Sequence, residues 1–166
     1  MSRLSLALVM ALFATACAGP PGDERGRILA PSFASFNPIV FNVLAAHCGT
    51  LDCHGDSRRN FMIFGMNGMR LDAERHADAG DPDTTQAEYE ATYQSLVWLE
   101  PERITQVTRE HGSEPQRLTL VRKARGSEQH KGGAQLPPGS AGDRCLTTWL
   151  AGAPDDTACA AATPEQ

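Results

Sequence analysis

Aromatic residues are scarce: 2 Trp, 2 Tyr and 6 Phe in 166 positions, so a large aromatic core is not expected. Basic residues are outnumbered, 15 Lys and Arg against 20 Asp and Glu, for a net charge of −5. That balance excludes nucleic acid as a partner class, because binding phosphates needs a basic surface. Beyond the N-terminus no apolar run approaches the length of a membrane-spanning helix. The chain also lacks a hydrolase nucleophile elbow, a phosphate-binding glycine loop and a metalloprotease histidine pair. No catalytic residue is nominated, and an enzyme is not expected. What remains is 41% apolar and 21% charged, the composition of one globular domain.

The first residues read as an address. Arg3 precedes the nearly unbroken apolar run from Leu4 to Phe13, which is the build of a secretory signal and is too short to span a bilayer. Ala14-Thr15-Ala16-Cys17 resembles the bacterial lipobox, which implies lipidation at Cys17; ordinary cleavage after Ala-Thr-Ala is the alternative. Ala18 after the cysteine implies an outer-membrane lipoprotein facing the periplasm or cell surface. The expected organisation is a signal peptide over 1–16 and a Gly- and Pro-rich flexible tether over 17–35. A domain over 36–153 and a tail over 154–166 follow. The membrane is then met through the lipid anchor only.

Four cysteines remain once Cys17 is set aside: Cys48, Cys53, Cys145 and Cys159. In an oxidising compartment free thiols are uncommon. Cys145 and Cys159 flank a Gly152/Pro154 break, and a disulfide pinning the tail to the preceding helix is the natural reading, with crossed pairing as the alternative. Cys48 and Cys53 stand in Cys48-Gly49-Thr50-Leu51-Asp52-Cys53-His54-Gly55. Two cysteines followed at once by histidine is the arrangement of c-type haem attachment, in which thiols bond the porphyrin and the imidazole binds iron. The gap here is four residues rather than the commoner two. A Cys48–Cys53 disulfide and a zinc site using Cys48, Cys53 and His54 stay open beside it.

The fold class expected is mostly α, a small helical domain with long loops. Phe36 to Ala46 predicts a helix capped by Asn37, with Pro38 in its first turn and Ile39, Val40, Val43 and Leu44 on one face. Phe61 to Leu71 reads as loop or short extended structure. Thr85 and Glu88 are spaced as a capping box for a second helix whose buried face holds Tyr89, Tyr93, Leu96 and Val97 through Trp98, and which ends at Glu100-Pro101. Glu102 to Thr108 reads as a further short helical turn. Gln116 to Lys123 is ambiguous between strand and helix, and 126–142 is loop. Ser140 caps a final helix bearing Cys145, Leu146, Trp149 and Leu150. Glu88, Glu90, Asp81 and Asp83 read as a solvated helix start. His47, His76 and His111 read as surface residues.

The order of these features, an apolar helix, Cys…Cys-His-Gly, a middle helix, Arg117 to Lys123, His130-Lys131-Gly132-Gly133, Pro137-Pro138 and Trp149-Leu150-Ala151-Gly152-Ala153, resembles the cytochrome c-like domains of exported planctomycete- and myxobacterial-type lipoproteins. The resemblance covers about Phe36 to Ala153. It implies a haem c held by Cys48 and Cys53, with His54 as proximal ligand, electron transfer as the function, and a redox protein of the envelope as partner. The family's methionine before the closing helix is missing, since Gln135-Leu136-Pro137-Pro138 stands there. His130 is the best replacement, with Met62, Met66 and Met69 as alternatives. The rival expectation is a haem-free, disulfide-stapled lipoprotein of the same fold, acting as a binding or structural module.

Overall fold

The structure, a computed structural model, describes residues 26–66, 68–72 and 83–163. The signal segment, Cys17, His76 and the Gly80-Asp81-Pro82 turn lie outside the described residues. Six helices follow in order: α1 Phe41–Cys48, α2 Gln86–Val97, α3 Pro101–Arg109, α4 Thr119–Ala124, α5 Ala141–Leu150 and α6 Asp156–Ala162. Among the described residues half are helical and none forms a strand; Phe64 and Met69 share one isolated bridge. The mostly α class is therefore what the chain adopts. No described helix is long and apolar enough to cross a membrane.

The first helix departs from expectation. Asn37 has extended backbone angles (φ −97°, ψ 122°) inside a π-type turn, Phe36–Val40, and the Asn37–Pro38 peptide is cis. The regular helix begins only at Phe41. Asn37 does not cap it, and its Nδ2 instead donates to Gln86 Oε1 at 3.0 Å, at the start of α2. Phe36 and Val40 are fully buried at this turn and set the entry angle of α1.

The aromatic residues, though few, are concentrated. Phe36 meets Phe41, Tyr93 and Trp149 at ring separations of 6.2, 5.5 and 5.4 Å. Phe33 adds an edge contact to Tyr93, and Phe41 one to Tyr89. Six of the ten aromatic side chains thus form one cluster joining α1, α2 and α5, so the core does have an aromatic centre. Edge-to-face packing lets rings share faces and edges, and a few can fill a small interior. Aliphatic residues complete it: Val43, Leu44, Ile63, Ile104, Val107, Val121, Leu136 and Leu146 are buried.

Both ends of the chain are drawn in further than the sequence suggests. The second half of the stretch read as tether lies on the domain. Leu29 N–H donates to Thr105 Oγ1 at 3.0 Å, Tyr93 O–H donates to the Pro31 carbonyl at 2.7 Å, and Phe33 begins a helical turn capped by Ser32. The stretch read as tail folds into α6, capped by Asp155, so α5 is not the last helix. The Cys145–Cys159 disulfide ties α6 to α5, and both sulfurs are buried. Closing a loop of that length contributes about 3 kcal/mol on a chain-entropy account. His47, expected at the surface, is partly buried, with its Nε2–H bonded to the Ala162 carbonyl at 2.8 Å.

Two side chains of α2 also depart from their expected places. Trp98 stands 62% exposed at the helix end, its indole N–H on Gln94 Oε1. Glu88 is only 1% exposed. Its carboxylate completes the expected capping box with Thr85, and also accepts from Arg70 Nε at 2.7 Å and from the Leu71 N–H at 3.2 Å. Burial raises the Glu88 carboxyl; the Arg70 guanidinium and the Thr85 and Leu71 N–H groups outweigh it and hold it below its ordinary value. The pair staples the 61–71 segment to α2. A depressed carboxyl contributes stability that is complete above its unfolded value of 4.5 and lost as pH falls through its native one. Glu88→Gln removes the negative member of this buried pair and should cost about 1–3 kcal/mol in denaturant titration at pH 7. The wild-type advantage should shrink below pH 4.5; equal stability of the two proteins at pH 7 would contradict this role.

Candidate functional site

The Cys48-to-His54 stretch leaves the end of α1 as a tight loop closed by backbone hydrogen bonds. His54 N–H returns to the Cys48 carbonyl at 2.9 Å, and Cys53 and Gly55 N–H both reach the Thr50 carbonyl at 2.9 and 3.0 Å. The four-residue gap is accommodated by this turn, and Leu51 at its tip is 64% exposed. Arg59 braces the loop from outside, donating to the Cys53 and Asp52 carbonyls at 2.9 and 3.0 Å.

Gly55 is required by a close backbone approach. A Cβ there would lie 2.6 Å from Gly68 Cα and collide with the Gly49 carbonyl oxygen. Gly68 presses on that same oxygen from the other side. Three backbone segments therefore meet where no side chain fits. The histidine-glycine pair in the sequence thus has a steric reason, since His54 is aimed by a residue that must be small.

His54 is fixed on both sides of its backbone and at its ring. Its carbonyl accepts from Ile63 N–H at 2.7 Å, and its Nδ1 is 2.8 Å from the Phe61 carbonyl. A carbonyl only accepts, so Nδ1 carries the proton and Nε2 is left with a free lone pair. A histidine that binds metal is oriented by this kind of bond. Burial pulls the His54 pKa down, opposed by the bond to Phe61 and assisted by His130, Arg59 and Lys123, which favours the neutral imidazole that a metal needs.

His130 faces it. The two rings are 5.8 Å apart between centroids, with planes inclined by 21°. The rings are stacked, and both line the same cavity. Between and beside the rings lies a cleft of about 450 Å³ lined by Cys53, His54, Arg59, Phe61, Leu99, Thr119, Lys123 and His130. It adjoins a smaller apolar recess of about 50 Å³, which shares both histidines and adds Cys48, Leu120 and Ala124. The volume falls in the range of small-molecule and cofactor sites.

The opposite wall comes from α4. Thr119, Leu120, Lys123 and Ala124 face the cleft, while Val121 turns into the core. The ambiguous Gln116-to-Lys123 stretch is thereby resolved as a short helix. Glu100 caps it from a distance, accepting from Thr119 N–H and from Thr119 Oγ1. Arg122 ties it to both flanks, donating to the Gln116 and Arg117 carbonyls and to Glu128.

Cys53, His54 and His130 therefore line one cleft, and Cys48 lines the adjoining recess that shares both histidines, from positions up to 82 residues apart. Cys48 and Cys53 are both free thiols, so the disulfide alternative between them is not what the structure contains. Burial, and secondarily the neighbouring Cys53, push the Cys48 thiol up to about 12, so it is held as the neutral SH. No group of three or more His, Cys, Asp or Glu that could hold a metal ion occurs among the described residues. Met62, Met66 and Met69 do not line the cleft. Arg59, Glu100 and α4's Thr119 were missed in the sequence because their partners are backbone atoms or distant positions. No family model, curated protein or solved structure matches the chain.

Gly55→Ala should destabilise the fold by about 1–3 kcal/mol, as overpacking does. It should also remove the protected His54 Nδ1–H resonance from the proton NMR spectrum. An alanine variant that keeps both would contradict the role of the glycine contact.

Proposed function

We propose that this chain is a lipid-anchored envelope protein that holds one c-type haem in the His54–His130 cleft and carries electrons. The observation that carries the reading is the arrangement around one cavity: two facing imidazoles, one with its ligating nitrogen freed by a bond at the other, and two uncombined thiols on the same walls. The donor set fits the group. Cys48 in the apolar recess and Cys53 at the outer wall would bond the porphyrin, and His54 and His130 would hold the iron. When bound, the haem supplies a one-electron couple.

This chain's own residues do the rest. Phe61 holds the proton on His54 Nδ1 through its carbonyl. Phe61, Leu99, Leu120 and Ala124 provide an apolar lining that excludes water from the recess. Arg59 and Lys123 bring positive charge to a cleft in an otherwise acidic protein. Two imidazole ligands give a lower potential than imidazole with thioether. The role is carriage rather than catalysis, with a redox protein of the envelope as partner. Lipidation at Cys17 and an outer-membrane location belong to the same proposal, as does export through the first 16 residues.

Produced in cells with c-type haem maturation, the protein should be red and show a sharp α-band after dithionite. His130→Ala should keep the haem attached but convert a six-coordinate low-spin spectrum to a five-coordinate high-spin one. A colourless protein overturns the reading, and an unchanged spectrum in His130→Ala removes His130 from the iron.

A further inference from the structure

The two histidines that face each other across the cleft are held very unequally. His54 has its amide, its carbonyl and its ring nitrogen all engaged, at 2.9, 2.7 and 2.8 Å, and its ring packs on Phe61. It sits where three backbone segments are in contact. His130 lies on a loop with firm ties only at its ends. On one side Ser127 and Glu128 N–H bond the Arg122 carbonyl, and Glu128 pairs with Arg122. On the other, Leu136 is buried and its N–H bonds the Ala124 carbonyl at 2.8 Å.

Between those anchors run residues 129–135. Their hydrogen bonds are local to the span: Gly133 N–H to the His130 carbonyl, and the Gln135 side chain to the Gly132 carbonyl. The His130 ring itself reaches only the Gly133 carbonyl, at 3.4 Å, beyond the usual range for such a bond. Gly133 has φ +68° and nothing within 4 Å of where a Cβ would stand. No side chain of this span is itself buried, and its swing away from the cleft breaks no hydrogen bond to the core, whereas moving His54 breaks three.

We infer that His130 is an exchangeable ligand and that the site takes a small diatomic gas, carbon monoxide or nitric oxide, in its place on the iron. The inference rests on the haem reading and deepens it. With haem bound, His54 would keep its place on the iron, while His130 would give up its own to the gas by moving outward with its loop; this would be a ligand substitution that transfers neither electron nor proton. The protein would then respond to the gas as well as carry electrons, since the ligand change alters the couple.

The test uses the reduced haem-bearing protein and carbon monoxide as probe. Wild type should form a carbon monoxide complex whose spectrum superimposes on that of His130→Ala, because both keep His54. If the open form is about 0.1–10% of molecules, wild-type affinity should be about 10- to 1,000-fold weaker than that of His130→Ala. Its binding rate should level off as gas concentration rises, where the variant's rate keeps increasing. A protein with an intact α-band that takes up no gas at saturation overturns the inference and leaves the haem reading standing. Two differing complex spectra also overturn it, because His54 would then be the ligand displaced. A protein without haem overturns both. Hydrogen exchange on the haem-free chain gives an independent arm: amides 129–135 should exchange far faster than those of His54 and Ile63, and equal protection would contradict the inference.

Discussion

The closure of residues 48–63 on themselves is the constraint on which the rest of the site depends. The bonds from His54 N–H to Cys48, from Ile63 N–H to the His54 carbonyl and from His54 Nδ1 to Phe61 fix one imidazole in one tautomer and one direction. They work only because Gly55 and Gly68 let their backbone segments meet at the Gly49 carbonyl. Each lost contact would free the ring to turn, and a ligand that turns is a poor one. The aromatic cluster and the Arg70–Glu88 pair then hold this loop against the helices. They act from the far side of the core and do not themselves enter the cleft.

The second half of the site is built by different means. The short α4 could not stand alone, since six residues are too few to offset the cost of starting a helix. It is held by Glu100 at its first turn, by Arg122 to its flanks and by Val121 in the core. It supplies the wall, and the loop after it supplies His130. Under the proposed haem reading, a firmly held histidine opposite a loosely held one would divide positioning from exchange. On this account the chain combines a fixed attachment point with a gate made from its own loop.

Much of this was legible in the sequence, for identifiable reasons. Thr85 and Glu88 declared the start of α2, and Ser140 that of α5, because capping is local chemistry at fixed spacing. Cys145 and Cys159 pair as their spacing suggested. The sequence marks Cys48, Cys53, His54 and His130, and the structure sets Cys53 and the two histidines on the cleft and Cys48 on the recess beside it. What was not legible depends on contacts between distant positions. Glu88 looks solvated until Arg70 arrives from 18 residues away. His47 looks exposed until the Ala162 carbonyl meets it, and small residues such as Ala160 to Ala162 give little sign of a docked helix. Asn37 and Pro38 have the residue types of a helix start, yet the packing of Phe36 and Val40 turns the chain there and delays the helix to Phe41.

The central claim is that this cleft holds a porphyrin joined covalently to the chain, and mass spectrometry of the digested mature protein tests it most directly. The account predicts that the peptide spanning Cys48 to His54 carries the mass of one haem and that neither of its cysteines reacts with an alkylating agent. Two alkylated thiols on that peptide, or a loss of two hydrogens in place of the added group, would contradict it.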